Sequence, residues 1–218
     1  MIDAVVFDLD GVLIDSEPLW ERLRREVVTE YGGHWRPEAE ERLMGMSTAE
    51  WARYLSEDLG VDRSPGQVAD LVIERMAQCY ARQVPVLPGA VGAVRRLAER
   101  WPLGLASSSP RRLIDTVLDL PELRGLFSAT VSTEELARGK PAPDVYLAAT
   151  DRLGVPPTSA AAVEDSTNGV RSAVDAGCHV IAVPRTRYPV DAAVLAKAAV
   201  VLRSLDELTA DLVESGLR

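Results

Sequence analysis

No apolar run in this chain approaches the roughly 20 residues that span a bilayer. The amino terminus has no basic segment followed by an apolar signal region. Cysteine is scarce: Cys79 and Cys178 are the only two in 218 residues. One disulfide between them stays open, but there is no disulfide framework and no metal-type spacing, and two buried thiols in a reducing cytosol account for them. These absences lead us to expect a cytoplasmic protein with no membrane partner. Positive charge does not prevail either. The net charge of −9 argues against a nucleic-acid backbone as partner, and a phosphate ligand must be held locally or with a metal cation. His34 and His179 are the only histidines, and surface or strand-edge positions explain both. There is no internal repeat and no low-complexity tract.

What is present suits one large domain, or one domain carrying a smaller insertion: 47% hydrophobic and 26% charged residues. The opening stretch IDAVVFDLDGVLID reads as a buried strand that ends in Asp8, Asp10 and Gly11. From Glu17 the period changes, with Leu19, Leu23, Val27 and Tyr31 recurring every four residues. Ser16 is a candidate N-cap there, Pro18 fits the first turn, and Gly32-Gly33 ends the helix. Three further helices are predicted over 37–44, 48–59 and 65–81, with no convincing strand among them. Three of the four tryptophans, Trp20, Trp35 and Trp51, lie in this stretch and read as helix-packing core.

After Pro85 strands and helices alternate. Strands are predicted over 103–106, 129–132, 160–164, 179–183 and 199–202, with helices between them. Ser109 is the expected cap of a helix with Pro110 at its first position. Ser204-Leu205-Asp206-Glu207 fits a capping box that opens the last helix. Nearly all-apolar strands alternating with helices imply a parallel sheet covered on both faces. The fold class is therefore α/β: a Rossmann-like core of residues 1–15 and 85–218, interrupted after the first strand by a helical-bundle insertion of residues 16–84.

In an open parallel sheet, ligands bind beyond the carboxyl ends of the strands. Asp8 and Asp10 follow the first strand, and Ser107, Ser108 and Ser109 the second. Gly139-Lys140-Pro141 follows the third, and Glu164, Asp165, Ser166 and Gly169 end or follow the fourth. Carboxylate oxygens suit magnesium, while serine hydroxyls, helix-start N–H groups and a lysine suit phosphate. Each piece alone has a plain structural explanation as a turn, a cap or a solvated loop. All four fall at one end of one sheet, and together they describe a phosphoryl-transfer site.

Asp8-Leu9-Asp10-Gly11-Val12, Ser107, Lys140-Pro141 with Pro143-Asp144, and Val163-Glu164-Asp165-Ser166 with Gly169 resemble, in order, the four motifs of the haloacid dehalogenase superfamily. Within it, the chain is similar to the β-phosphoglucomutase-like branch with a helical cap. The resemblance implies a magnesium-dependent phosphatase acting on a small phosphorylated metabolite, a sugar phosphate, through an aspartyl-phosphate. It makes Asp8 the nucleophile and Asp10 the acid and then the base. Ser107, Ser108 and Lys140 would bind phosphate. Asp8, the main-chain carbonyl of Asp10, and Asp165 would bind magnesium, with Glu164 a further ligand, direct or through water.

Asp10 argues against the dehalogenase and phosphonatase branches, which differ at that position. A mutase needs a second cationic phosphate grip. Trp20, Thr48, Pro110 and Arg111 stand where the mutases carry their histidine, arginine, lysine and asparagine, so phosphatase is favoured over the phosphotransferase alternative. A phosphate-binding protein without turnover is a third reading, opposed by the intact motifs. Glu17, Trp20, Met46 and Arg111, with Met44 and Trp51, are the candidate substrate contacts. The chain is expected to act as a monomer.

Overall fold

The computed structural model describes residues 1–43 and 46–215. The chain forms two compact units, one of Met1–Asp15 with Val86–Arg218 and the other of Ser16–Pro85. Strand β1 (Ala4–Phe7) opens the first unit. The second unit holds α1 (Glu17–Glu30), α2 (Ala39–Leu43), α3 (Thr48–Arg53) and α4 (Pro65–Arg82). The first unit resumes with α5 (Ala90–Ala98), β2 (Leu103–Ser107), α6 (Arg111–Leu118), β3 (Phe127–Ser132) and α7 (Asp144–Leu153). It closes with β4 (Ala160–Glu164), α8 (Thr167–Ala176), β5 (His179–Ala182), α9 (Ala192–Leu195), β6 (Val200–Val201) and α10 (Ala210–Ser215).

The six strands form one sheet in the order β3-β2-β1-β4-β5-β6, every neighbour parallel. This is the α/β Rossmann-like architecture the alternating pattern calls for. Strand β1 has no polar residue because both of its faces are covered, and all four of its side chains are fully buried. On one face Val6, Ala106, Val131 and Ala162 pack against Val145, Tyr146 and Ala149 of α7 and against Val170 and Ala173 of α8. Strand order reverses between β1 and β4, the place where an open sheet leaves a crevice at its carboxyl edge. No described helix is long and apolar enough to cross a membrane.

In the helical unit, α1 buries Trp20, Leu23, Val27 and Val28, and α4 buries Val68, Val72 and Met76. Trp20 and Trp51 lie 6.0 Å apart, tilted by 56°. The buried Arg24 guanidinium sits 4.8 Å from one ring and 5.0 Å from the other. The helix expected over 48–59 changes at Tyr54 into a π-helical turn, Tyr54–Asp58, whose wider winding buries Tyr54 and Leu55 together.

Three expected caps differ. Ser16 stands at the N-cap of α1 but makes no side-chain cap bond, because its backbone is already helical at φ −85° and ψ −25°. Pro110, not Ser109, precedes α6, since its extended backbone (ψ 141°) delays the helix by one residue. Ser204 accepts from the Asp206 N–H and opens only a single 3-10 turn, Leu205–Glu207; the last helix begins at Ala210. Arg96 takes the carbonyls of Leu205 and Leu208 at 2.9 and 3.1 Å, diverting them from a continuing helix.

Candidate active site

The chain leaves β1 at Asp8, whose backbone N–H still bonds the carbonyl of Val163 in β4. That bond sets the end of β1 beside the end of β4. Directly after Asp10 the chain must turn tightly, and Gly11 does so at φ +81°. A side chain there would also be blocked, since a Cβ would sit 1.9 Å from Asp165 Oδ2. Asp165 therefore lies directly against the turn that follows Asp10.

Lys140 reaches this point from the loop before α7. Its ammonium donates to Asp8 Oδ1 at 2.7 Å, to Glu164 Oε1 at 2.6 Å and to the Ala106 carbonyl at 3.0 Å. Those three bonds use all three of its protons. Asp8, Glu164 and Asp165 are all buried and can offer ligand oxygens within 4.8 Å of one another. With Asp10 the site holds four carboxylates against one ammonium. Hard oxygen donors and excess negative charge fit a divalent cation such as magnesium. Glu164 belongs to this group by distance, yet its own oxygens are heavily engaged. Oε1 also accepts from Tyr146 at 2.8 Å, and Oε2 accepts from the N–H groups of Asp165 and Ser166 and from the Ser166 hydroxyl.

The electrostatics follow from this packing. Burial, with Glu164 and Asp10 nearby, pushes the Asp8 carboxyl up to about 8 against the pull of Lys140. Burial alone would lower Lys140, but Asp8 and Glu164 overrule it and raise its pKa. Tyr146 is held well above its ordinary value by burial first and then by Glu164 and Asp8.

A second group forms at the end of β2. The Ser109 hydroxyl donates to Asp10 Oδ2 at 2.7 Å, with the Ser107 hydroxyl 3.4 Å from the same oxygen. Ser107 in turn accepts from the Ser109 N–H at 2.9 Å, and Ser132 of β3 donates to the Ser109 carbonyl at 2.7 Å. Ser108 is partly buried between them.

Asp8, Lys140, Glu164 and Asp165 thus meet in one cluster, and Asp10 and Ser107 in its neighbour. Arg111 is not brought in. Its guanidinium bonds the hydroxyl and carbonyl of Thr130, Glu135 and Asp115, and its backbone N–H bonds Glu134. Trp20 and Trp51 are interior side chains of the helical unit, 5% and 2% exposed. Glu17 and Met46 also belong to that unit and are partly buried. Met44 lies outside the described residues. His179 accepts no site role, its ring facing the Thr158 carbonyl at 3.0 Å.

Two participants escape the sequence reading. Ser109 is explained there as a cap, and Tyr146 is not singled out within its predicted helix. The signal for Ser109 is the run of three serines after a strand; no signal in the sequence marks Tyr146.

A carboxylate cluster and a buried lysine at the switch point of a parallel sheet define a hydrolase of the phosphoryl-transfer kind. Residues 2–177 match the family described as haloacid dehalogenase-like hydrolase. The chain belongs to that family and is a phosphoric monoester hydrolase. It is 37% identical to hexitol phosphatase B of Escherichia coli (strain K12), covering 95% of this chain and 94% of that protein. It is 33% identical to the phosphorylated carbohydrates phosphatase of Thermotoga maritima, over 81% and 82%. Its fold is similar to CbbY from Rhodobacter sphaeroides, solved in complex with xylulose-(1,5)bisphosphate, at a TM-score of 0.85 and 26% identity over 100% and 99% of the two chains.

Proposed function

We propose that the protein is a magnesium-dependent phosphatase of a small sugar phosphate or sugar-alcohol phosphate, working through an aspartyl-phosphate on Asp8. The observation that carries this reading is the Lys140–Asp8 contact of 2.7 Å inside a buried acidic cluster. The phosphorylated carbohydrates and hexitols named for its relatives supply the substrate class. The same reading makes it a monomeric cytoplasmic enzyme, in keeping with its free cysteines, and makes the helical unit a cap.

A carboxylate oxygen of Asp8 attacks phosphorus while the bond to the ester oxygen breaks, and Asp10 delivers its proton to that leaving oxygen. Asp10, now a carboxylate, then takes a proton from water as the water oxygen attacks phosphorus. The bond to Asp8 breaks, inorganic phosphate leaves, and both acids return to their starting states. Ser107, Ser108 and the adjoining N–H groups cradle phosphate oxygens. Lys140 offsets the repulsion between the carboxylate and a phosphate dianion. Asp8, Asp165 and the Asp10 carbonyl would hold magnesium, with Glu164 a further ligand, direct or through water, and the ion would supply the further positive charge this step needs.

The test is phosphate release from a panel of phosphorylated sugars and hexitols, with and without magnesium. Release that depends on magnesium and vanishes in Asp8→Asn supports the reading. Binding without release across the panel would refute it. Conversion of β-glucose 1-phosphate to glucose 6-phosphate, primed by a bisphosphate and with little free phosphate, would assign the phosphotransferase chemistry instead.

A further inference from the structure

One polar side chain of the cluster has no part in these steps. Tyr146 is the third residue of α7 and is fully buried. Its hydroxyl donates to Glu164 Oε1 at 2.8 Å, the oxygen that Lys140 also contacts at 2.6 Å. Its ring stands 5.1 Å from the Lys140 ammonium. A buried tyrosine hydroxyl needs a partner, and any acceptor would satisfy it. Here the acceptor is the oxygen that competes with Asp8 for the only ammonium in the cluster, and the ring flanks that same ammonium.

Lys140 is shared between two carboxylates at almost equal distance, 2.6 and 2.7 Å. An oxygen of Glu164 with its charge undispersed would draw the ammonium towards itself and away from Asp8. A hydroxyl donated to that oxygen takes up part of its charge and fixes its direction. Gly169 leaves room for the carboxylate on its other side, since a Cβ there would lie 1.9 Å from Glu164 Oε1. We propose that Tyr146 is a positioning residue: by hydrogen-bonding Glu164 Oε1 it balances Lys140 between Glu164 and Asp8, so that the ammonium stays on Asp8 during attack. This rests on the reading of Asp8 as nucleophile.

Tyr146→Phe removes the hydroxyl and keeps the ring over Lys140. The chain has two lysines, Lys140 and the exposed Lys197. In ¹⁵N-lysine-labelled protein the slowly exchanging ammonium signal therefore belongs to Lys140. The variant is expected to lose about tenfold in kcat with KM within about twofold of wild type. Exchange of the Lys140 ammonium protons with water is expected to quicken about tenfold. Added to Glu164→Gln, the same substitution has no further effect on kcat, because the hydroxyl acts only through Glu164. Unchanged kcat and exchange, even with a lower melting temperature, would overturn the proposal and leave Tyr146 a core residue. So would a change confined to KM. If the wild-type protein released no phosphate from any ester, the phosphatase reading would fail by itself, and the ammonium exchange rates would still decide this one.

Discussion

Replacing Gly169 by alanine sets two physical effects against each other. Gly169 is the third residue of α8, and in an open helix alanine there would stabilise by about 1 kcal/mol. The Cβ, however, would stand 1.9 Å from Glu164 Cδ and Oε1 and 2.0 Å from Oε2, where ordinary contact begins at 3.4 Å. Glu164 must retreat by about 1.5 Å, farther than hydrogen bonds of 2.6 Å to Lys140 and 2.8 Å to Tyr146 can follow. Each such bond to a charged group is worth about 1.5–3 kcal/mol. Losing both outweighs the gain in helix propensity, so the net expectation is destabilisation by about 2–5 kcal/mol. Phosphatase activity is expected to fall as well, because a displaced Glu164 no longer fixes where the Lys140 ammonium sits beside Asp8. Urea unfolding followed by circular dichroism reads the first effect, and phosphate release the second. Gly66 in α4 is the matched control: a Cβ there meets nothing within 4 Å, so Gly66→Ala is expected to be neutral or stabilising by up to about 1 kcal/mol. A Gly169→Ala protein as stable and active as wild type would show that Glu164 is not pinned where the hydrogen bonds put it.

With the Asp8 carboxyl near 8 in the metal-free protein, a proton must leave before the carboxylate can ligate a cation. Magnesium affinity is therefore expected to rise about tenfold per pH unit up to about pH 8 and then level off. Calorimetry at pH 7 in buffers of different ionisation enthalpy should show close to one proton released, and affinity flat from pH 6 to 8 would contradict the assignment. Glu135 is held down to about 2 by the Arg111 and Arg152 guanidinium groups and the Ser132 N–H, which overcome its burial. A depressed carboxyl stabilises above its unfolded value of 4.5 and loses that contribution as pH falls towards 2. Glu135→Gln should then be less stable than wild type at pH 7, with the gap closing through that window in thermal melts. Burial pushes the Cys178 thiol up to about 12, whereas Cys79 is partly exposed. A thiol reagent at pH 8 should titrate one cysteine in the native protein and both in urea.

The sheet was legible because its signal is local and redundant. Most strands are short, nearly all-apolar runs, so a misjudged end moves a boundary without changing the topology, as at β5, where 179–183 becomes His179–Ala182. The four site stretches were legible for a related reason: polar residues that interrupt apolar runs at strand ends stand out against what packing alone would select. Caps were less legible, because their geometry depends on one dihedral and on distant partners. The Ser204 box fits the local rule, but an arginine more than one hundred residues earlier takes the carbonyls a helix would have used. Tyr146 was illegible because the sequence shows that an aromatic residue is buried but not which atom its hydroxyl meets.

The contacts of Lys140 carry the electrostatic argument one step further. Its ammonium is shared by Asp8 and Glu164, and the result is asymmetric: the lysine is held charged while the Asp8 carboxyl is pushed towards its neutral form. One cation cannot ionise two buried carboxylates with Asp10 and Asp165 beside them. If Asp8 is the nucleophile, as proposed, it must be ionised to attack, and the protein alone would leave it largely protonated at neutral pH. The second positive charge must come from outside the chain, and the buried oxygens of Asp8 and Asp165 are where it would arrive. On the proposed reading, dependence on a divalent cation would follow from having placed one lysine among four acids. A variant that loses Glu164's charge but keeps its shape, Glu164→Gln, should relax that dependence in one measurable way. With one acid fewer, the Asp8 carboxyl titrates below 8 in the metal-free protein, and carbon-detected NMR of labelled aspartate would register the fall. An unchanged or higher value would mean that the charge of Glu164 has no part in raising the Asp8 carboxyl.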